Sequence, residues 1–409
     1  MHNLIQRHMK IRAFLLLGAF ALFVGACKDD DKEKFSSSSP EEHRESMENN
    51  ALDVFGKLKR GVDLESIDLL IELAQLLDNA DLEPGIYAAD FNRSIIDKLE
   101  IARVLPGLKS TSDEKFSFKE GFEAYVGIYT YNSETESWDK EEASNELTFK
   151  FTSKEGKAVV TTLDNVSTFS GVHPGLEYEL ADFPTSARYS LKADNKELIS
   201  MNFVSVFDSK GIPSKIEEVL KVEDFEYVYK FALTSSVYSI EQMYKYQDET
   251  LLSYLFENKG SFDTEELLTG EVDDVIYDGM LSNSNLRVTV GKYRAEGKAD
   301  WNGLNKKLTS VSEDDITSEE EMAQLIADTY NKYIDIKIRD TKAKTIIATG
   351  EFYAYEDDYY DGSWDINMRM VFPDGSYMDE SFFQDGFTDL VTEVNEFFAE
   401  LENKFRGIR

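Results

Sequence analysis

Residues 226–257, EYVYKFALTSSVYSIEQMYKYQDETLLSYLFE, show the clearest structural periodicity in the chain. Aromatic and β-branched side chains recur at alternating positions over residues 226–233, 237–246 and 251–257. A period of two is typical of strands that bury one face, and turn-forming residues lie between the segments. Because no helical segment separates them, these strands are predicted to pair antiparallel, as a meander.

The same period extends in both directions along the chain. Upstream, strands are predicted at 125–131, 146–151, 158–164, 187–192 and 198–207; downstream, they are predicted at 287–293, 334–339, 345–355, 364–372 and 376–382. Together they predict a large antiparallel sheet and a C-terminal antiparallel sheet.

Apolar residues at steps of three and four predict helices at both ends of the chain. The N-terminal helical part covers residues 46–105, with a second, weaker segment at 95–104. Later helices are predicted from Thr317, where Thr317-Ser318-Glu319-Glu320 resembles a capping box, to Tyr333, and over residues 386–405. The final helix has a wide apolar stripe, so it is expected to pack on the sheet.

The predicted fold class is therefore α+β, with an N-terminal helical segment, a large antiparallel meander and a C-terminal sheet covered by helices. The long meander resembles, in architecture only, the half-barrels of lipoprotein carriers and lipid-binding lipoproteins. The predicted divisions are a signal peptide (1–26), a tether (27–45), a helical segment (46–110), an antiparallel β domain (111–265) and an α+β domain (266–409).

Composition excludes several kinds of function. The 79 acidic and 44 basic residues give a formal charge of −35, which repels nucleic acid, so no nucleic-acid partner is expected. Cys27 is the single cysteine among 409 residues, and there are only four histidines. No thiolate or histidine-rich metal site is expected, nor a cofactor, and His173 lies in a predicted turn, Gly-Val-His-Pro-Gly. No catalytic residue is therefore assigned, and the chain is predicted not to be an enzyme.

The N-terminus carries a targeting segment. Basic residues precede an apolar run at 13–24, which is too short to cross a bilayer but suits a signal peptide. The following Val24-Gly25-Ala26-Cys27 resembles the lipobox of bacterial lipoproteins, which implies cleavage before Cys27 and lipid attachment to its thiol. The membrane is thus one expected partner, through this anchor. Translation could start at Met1 or at Met9.

The four residues after Cys27 indicate where the protein is located. Lys28, Asp29, Asp30 and Asp31 resemble the export signal of Bacteroidetes lipoproteins on the outer face of the outer membrane, which implies display on the cell surface. A merely solvated acidic tether is the alternative. Charged and serine-rich sequence continues to Glu45 and is predicted to be a flexible leash.

Two aromatic hairpins supply the candidate ligand-binding residues. A Gly-x-aromatic strand followed by a Trp-Asp pair occurs near residue 130 and again near residue 355; this echo is as consistent with chance convergence as with duplication. Packing within the sheet is the alternative to stacking on sugar rings. The candidates are Trp138, Trp364, Tyr353, Tyr355, Tyr359 and Tyr360.

An acidic run at 356–362 invites a calcium site, but it departs from the EF-hand pattern because Tyr359 and Met368 replace ligand positions. An acidic hairpin turn is the better interpretation, and no metal site is predicted. The leading hypothesis is a surface-displayed outer-membrane lipoprotein that binds a ligand or partner through its sheet without catalysis. The alternatives are a glycan-binding accessory of a nutrient-uptake system, a lipid-binding half-barrel carrier and, less favoured, a glycoside hydrolase. The C-terminal part, including Trp301-Asn302-Gly303-Leu304, resembles uncharacterised Bacteroidetes lipoproteins, which implies no activity.

Overall fold

The computed structural model describes residues 34–78, 118–143, 145–172, 180–209, 211–262, 280–311, 318–356, 363–378, 382 and 387–405. Within them the chain forms one open sheet of sixteen strands. The strands are β1 (Gly127–Asn132), β2 (Ser137–Glu141), β3 (Leu147–Thr152), β4 (Ala158–Val172), β5 (Leu180–Ala193), β6 (Lys196–Phe207), β7 (Pro213–Val222), β8 (Phe225–Leu233), β9 (Val237–Tyr246), β10 (Glu249–Gly260), β11 (Leu281–Val290), β12 (Tyr293–Asp300), β13 (Ile334–Asp340), β14 (Thr345–Glu356), β15 (Trp364–Val371) and β16 (Tyr377–Met378).

The described helices lie at the two ends of the chain and between β12 and β13. They are α1 (Pro40–Lys59), α2 (Glu65–Asp78), α3 (Phe118–Tyr125), α4 (Trp301–Leu308), α5 (Glu319–Tyr333) and α6 (Thr388–Phe405), with a short 3₁₀ turn, Arg60–Asp63, between α1 and α2. The α+β class is confirmed.

From β3 to β16 the strands follow one another in sequence order, and each pairs antiparallel with the next. At the other edge, β1 lies between β2 and β3 and pairs parallel with β3. The predicted meander is therefore confirmed, with one parallel pair added. β10 and β11, which lie on either side of the predicted domain boundary, are hydrogen-bonded neighbours in the same sheet, and the division into domains between them stays a prediction.

Strict alternation gives the sheet two chemically different faces. The apolar face is defined by a row of directly opposed residues, listed from β7 to β13: Glu218, Tyr229, Gln242, Tyr254, Val288, Ala295 and Ile338. The polar face is defined by the neighbouring row: Glu217, Lys230, Glu241, Leu255, Arg287, Glu296 and Lys337.

Two hydrophobic cores cover the apolar face near its two edge strands, β2 and β16. Near the β2 edge, α2 contributes Leu69, Leu73 and Leu77 to a cluster with Phe149 and Leu191. Near the β16 edge, Ala327 of α5 packs in a cluster with residues of β12 to β15, including Ile338, Ala348 and Phe352. Burying these side chains stabilises the fold by roughly 1.5–3 kcal/mol for each large residue.

The N-terminal helices cross the end of the sheet that carries the β3–β4, β7–β8 and β11–β12 turns. Asn50 of α1 donates to the Val290 carbonyl (2.9 Å) and accepts from the Lys292 backbone N–H (3.0 Å). Further along, Ser66 at the start of α2 donates its backbone N–H to Glu223 (2.9 Å). Glu72 of α2 then accepts from the backbone N–H of Lys154 in the β3–β4 turn (2.7 Å).

The tether prediction is wrong in part. α1 begins at Pro40 because Ser39 and Glu42 form a capping box that satisfies the first turn, so residues 40–45 are helical. Just before it, Phe35 forms a parallel bridge with Ile346 at the start of β14. We call the end of the sheet where β14 begins the tether end, and the opposite end the far end.

β7 and β12 were not predicted as strands, and β2 was predicted only as the return strand that Trp138 opens in the first aromatic hairpin. β2, β7 and β12 are rich in charged residues, and pairing with neighbours overrides their weak intrinsic preference. The predicted strand 287–293 instead spans the Gly291-Lys292 turn between β11 and β12. The N-cap of α5 is Ser318, and the second helical segment at 95–104 lies outside the described residues.

Candidate functional site

A depression of about 380 Å³ opens on the sheet where β10, β11 and β12 approach the far end. Most of its lining comes from the polar face, where alternate residues of each strand point the same way. Its lining residues are Glu257, Lys259, Asn283, Ser284, Asn285, Arg287 and Lys298.

Strand register brings these residues together. Glu257 of β10 lies directly opposite Asn285 of β11, which in turn lies opposite Lys298 of β12. Arg287 and Asn283 flank Asn285 two residues away along the same strand, so all three share one face. A site of this kind needs three strands in fixed register and cannot be recognised from any one of them.

The lining is basic although the chain is strongly acidic. Three cationic side chains, Lys259, Arg287 and Lys298, face one carboxylate, Glu257, whose oxygen lies 3.2 Å from the Lys259 ammonium. Next to Arg287 on β12, Glu296 is already engaged by the guanidinium of Arg339. The local charge therefore favours an anionic ligand.

Two lining groups lack hydrogen-bond partners among the described residues. Asn285 Oδ1 and Arg287 Nε are both inaccessible to solvent and unpaired. Leaving such a group unpaired costs roughly 1–3 kcal/mol.

Ser284 links the depression to α4. Its hydroxyl donates to Asn258 Oδ1 (2.6 Å) and accepts from the indole Nε1–H of Trp301 (2.6 Å). Asp300 accepts from the backbone N–H of Gly303 (2.8 Å) and so caps α4. The helix and the ends of β10 to β12 are thereby held as one unit behind the depression.

The aromatic residues singled out from the sequence do not form one site. Trp364 lies opposite Glu356, on the face that carries Phe352 and Ile366. Tyr353 and Tyr355 point to the other face, with ring centroids 6.3 Å apart and planes tilted by 55°. The hairpin register places Trp364 and these two tyrosines on opposite sides of the sheet, so they cannot contact one ligand together, and their role as separate ligand-binding residues stays a prediction.

Trp138 is partly buried and packs against the core near α2. Its ring packs edge-on against Phe149 at 5.4 Å, and its indole N–H donates to the carbonyl of Leu76 at 3.4 Å. This is the packing alternative stated for the aromatic hairpins. On the polar face, Arg369 lies over the Tyr353 ring at 4.8 Å. Tyr359, Tyr360, Cys27, Lys28, Asp29, Asp30 and Asp31 lie outside the described residues.

A buried carboxyl interrupts the apolar face. Glu218 is 2% exposed and lies directly between Phe203 of β6 and Tyr229 of β8. Its Oε1 has no hydrogen-bond partner among the described residues, and burial raises its pKa to about 7. The sequence offered a signal that was missed, because Glu218 occupies the inward position between Ile216 and Leu220.

Over the described part of the chain, no three histidine, cysteine, aspartate or glutamate side chains are grouped so that they could hold a metal ion. None of the described helices combines the length and apolar character needed to cross a membrane. No protein-family model, curated protein or solved structure matches the chain. Any functional conclusion therefore depends on the site itself.

Proposed function

We propose that the protein is a lipid-anchored outer-membrane lipoprotein, displayed on the cell surface, that binds an acidic glycan without catalysis. The observation that carries the ligand class is the basic depression at the ends of β10, β11 and β12. Anchoring and location rest on the resemblance of residues 24–27 to a lipobox and of residues 28–31 to a surface-export signal.

The chemistry of the lining fits a sugar acid. Arg287 offers a planar guanidinium that can pair with a carboxylate through two parallel hydrogen bonds, and Lys298 adds a second positive charge. Asn283 and Asn285 each carry a donor and an acceptor, which suits vicinal hydroxyl groups. A lipid carrier is less favoured, because α2 and α5 already cover the apolar face near its two edge strands.

Binding can be tested by calorimetry on the mature chain with Cys27→Ser, using polygalacturonate as the acidic probe and dextran as the neutral one. Arg287→Gln and Lys298→Gln are each expected to weaken binding of polygalacturonate about tenfold, equivalent to about 1.4 kcal/mol. Added salt should weaken wild-type binding as well, because the attraction is screened.

Lys230→Gln is the matched control, since it removes one positive charge from the same face two strands away. It should leave the affinity nearly unchanged. Binding that is absent, or that survives Arg287→Gln and Lys298→Gln intact, contradicts the assignment. Release of reducing ends from the same polysaccharide would overturn the non-enzymatic part and favour a glycoside hydrolase.

Location has a separate test in whole cells. Protease treatment of intact cells is expected to remove the wild-type protein from their surface. Replacing Lys28, Asp29, Asp30 and Asp31 with alanine should protect it, and Cys27→Ala should release it from the membrane fraction, because the acyl chains provide the anchor. Wild-type protein that resists protease on intact cells is inconsistent with surface display.

A further inference from the structure

The chain that leads away from Cys27 joins the sheet soon after it. Ser36 donates its backbone N–H to the Ile346 carbonyl (2.8 Å), and the Ile346 N–H donates to the carbonyl of Lys34 (3.0 Å). Phe35 lies between them in a parallel bridge to Ile346. Six residues lie between Cys27 and Lys34, so the Cα atoms of these two residues are at most about 25 Å apart. The fold is therefore fixed to its tether at one defined point.

That point identifies one end of the whole sheet. In an antiparallel meander every second connection lies at the same end. The tether end, where β14 begins, also carries the turns between β3 and β4, β5 and β6, β7 and β8, β9 and β10, β11 and β12, and β13 and β14. α1 and α2 cross this same end, as their bonds to Val290, Glu223 and Lys154 show.

The depression lies at the far end. Lys259 is one residue before the last residue of β10, Asn283 is two residues after the first of β11, and Lys298 is two before the last of β12. Strands of eight to twelve residues separate the two ends. At about 3.3 Å per residue, this separation is on the order of 30 Å.

Charge at the attachment point is consistent with a membrane. Lys34, Lys342 and Lys344 are exposed around the start of β14, where their ammonium groups can approach anionic lipid headgroups. They stand out in a chain whose formal charge is −35. The tether thus leaves the fold beside three exposed ammonium groups, with the exposed carboxylates of Glu41 and Glu42 following in the first turn of α1.

We propose that the tether end of the sheet, with Lys34, Lys342 and Lys344, faces the lipid bilayer and that the far end holds the depression away from it. This orientation rests on the proposed lipid anchor at Cys27. It leaves the depression open to large ligands outside the cell, and it makes the surface around the β13–β14 turn a contact site for lipid headgroups.

The orientation can be measured by energy transfer to an acceptor on lipid headgroups. Cys27 is the only native cysteine, and lipid attachment would consume its thiol, so an introduced cysteine can be labelled selectively. Ala343→Cys marks the β13–β14 turn, and Ser235→Cys marks the β8–β9 turn at the far end; both positions are exposed. The full mature lipoprotein is reconstituted into vesicles that contain anionic lipid.

We expect strong transfer from the label at residue 343 and weak transfer from the label at residue 235, corresponding to a difference in height of about 30 Å. Equal transfer from both, or stronger transfer from residue 235, overturns the orientation. Mass analysis of the N-terminal peptide precedes the measurement: a peptide without lipid overturns both the anchor and the orientation. A lipidated peptide with equal transfer overturns only the orientation.

A second pair of variants tests whether the docked segment sets the orientation. Ser36→Pro removes the N–H that bonds to Ile346 and should reduce the difference in transfer between the two labels. Ser37→Pro is the matched control, because no hydrogen bond of its N–H contributes to the bridge. An unchanged difference in Ser36→Pro would show that this segment does not orient the fold.

Discussion

Glu218→Gln is expected to raise the free energy of unfolding at pH 8 by about 3 kcal/mol, because each unit of pKa shift corresponds to about 1.4 kcal/mol. Burial raises the pKa of this carboxyl from 4.5 to about 7. In the unfolded chain the carboxyl ionises near pH 4.5, whereas the folded protein resists ionisation up to about pH 7. Stability is therefore lost as the pH rises through this window, and the penalty is complete above it.

Glutamine has nearly the same shape as glutamate but never carries the charge. The stabilising effect of Glu218→Gln should consequently shrink as the pH is lowered and become small near pH 4.5, where the carboxyl is neutral in the folded protein and only half ionised in the unfolded chain. Urea unfolding of both proteins at pH 8, 6 and 4.5 measures the effect directly.

Glu217→Gln is the control, because Glu217 lies next in sequence but points to the polar face, where it pairs with Lys215 at 3.0 Å. Its side chain is 43% exposed, so a change of less than about 1 kcal/mol is expected at every pH. A stabilisation by Glu218→Gln that does not vary with pH would show that ionisation is not the cause.

Gly291→Ala is expected to lower the free energy of unfolding by about 3 kcal/mol, through two separate costs. Gly291 has φ = +55°, a conformation that disfavours any residue with a Cβ atom. An added Cβ would also lie 2.4 Å from Asn50 Oδ1. Asn50 would have to move, which breaks its two bonds to the β11–β12 turn and loosens α1 from the sheet.

Gly156→Ala separates the two costs. Gly156 also has a positive φ, +82°, but nothing lies within 4 Å of the Cβ that alanine would add. Backbone strain alone should cost about 1 kcal/mol there. Thermal or urea unfolding of both variants should show the larger loss at Gly291, and equal losses would mean that α1 does not depend on this contact.

Removing Asn50 provides a further check on the same contact. Asn50→Ala breaks the two hydrogen bonds by itself, so a following Gly291→Ala should then cost only the strain of its backbone. The two changes should combine to less than the sum of their separate effects. If the two changes in unfolding free energy add fully, the cost of Gly291→Ala does not arise from its contact with Asn50.

Local patterns were sufficient for much of the fold. Val237–Tyr246 alternates so regularly that its predicted bounds match those of β9, and Ile334 and Thr345 begin strands as predicted. The alternating pattern is not recognisable where a strand is rich in charged residues: in β7 the inward Ile216 and Leu220 lie among lysines and glutamates. Such a segment becomes a strand because β6 and β8 pair with it on both sides.

The candidate site could not be predicted from these local patterns. Asn285, Glu257 and Lys298 are far apart in sequence, and only the register of three strands places them side by side. Strand register likewise decides which side chains share a face with Trp364. Alternation along the strand predicts that Phe352 and Tyr353 point to opposite faces of the sheet. Only the pairing of Glu356 with Trp364 decides which of the two lies on the same face as Trp364.

The amino-acid sequence by itself thus determined the antiparallel alternation that begins with residues 226–257, the composition that argues against metal and thiol chemistry, and the resemblance at Cys27 to a lipid anchor. These are local properties, because propensity, periodicity and targeting motifs act over a few neighbouring residues. Tertiary structure alone decided that the strands form one sheet, that a basic depression opens at its far end and that residues 34–36 join its opposite end. Those features depend on strand register and long-range pairing, which no short segment encodes.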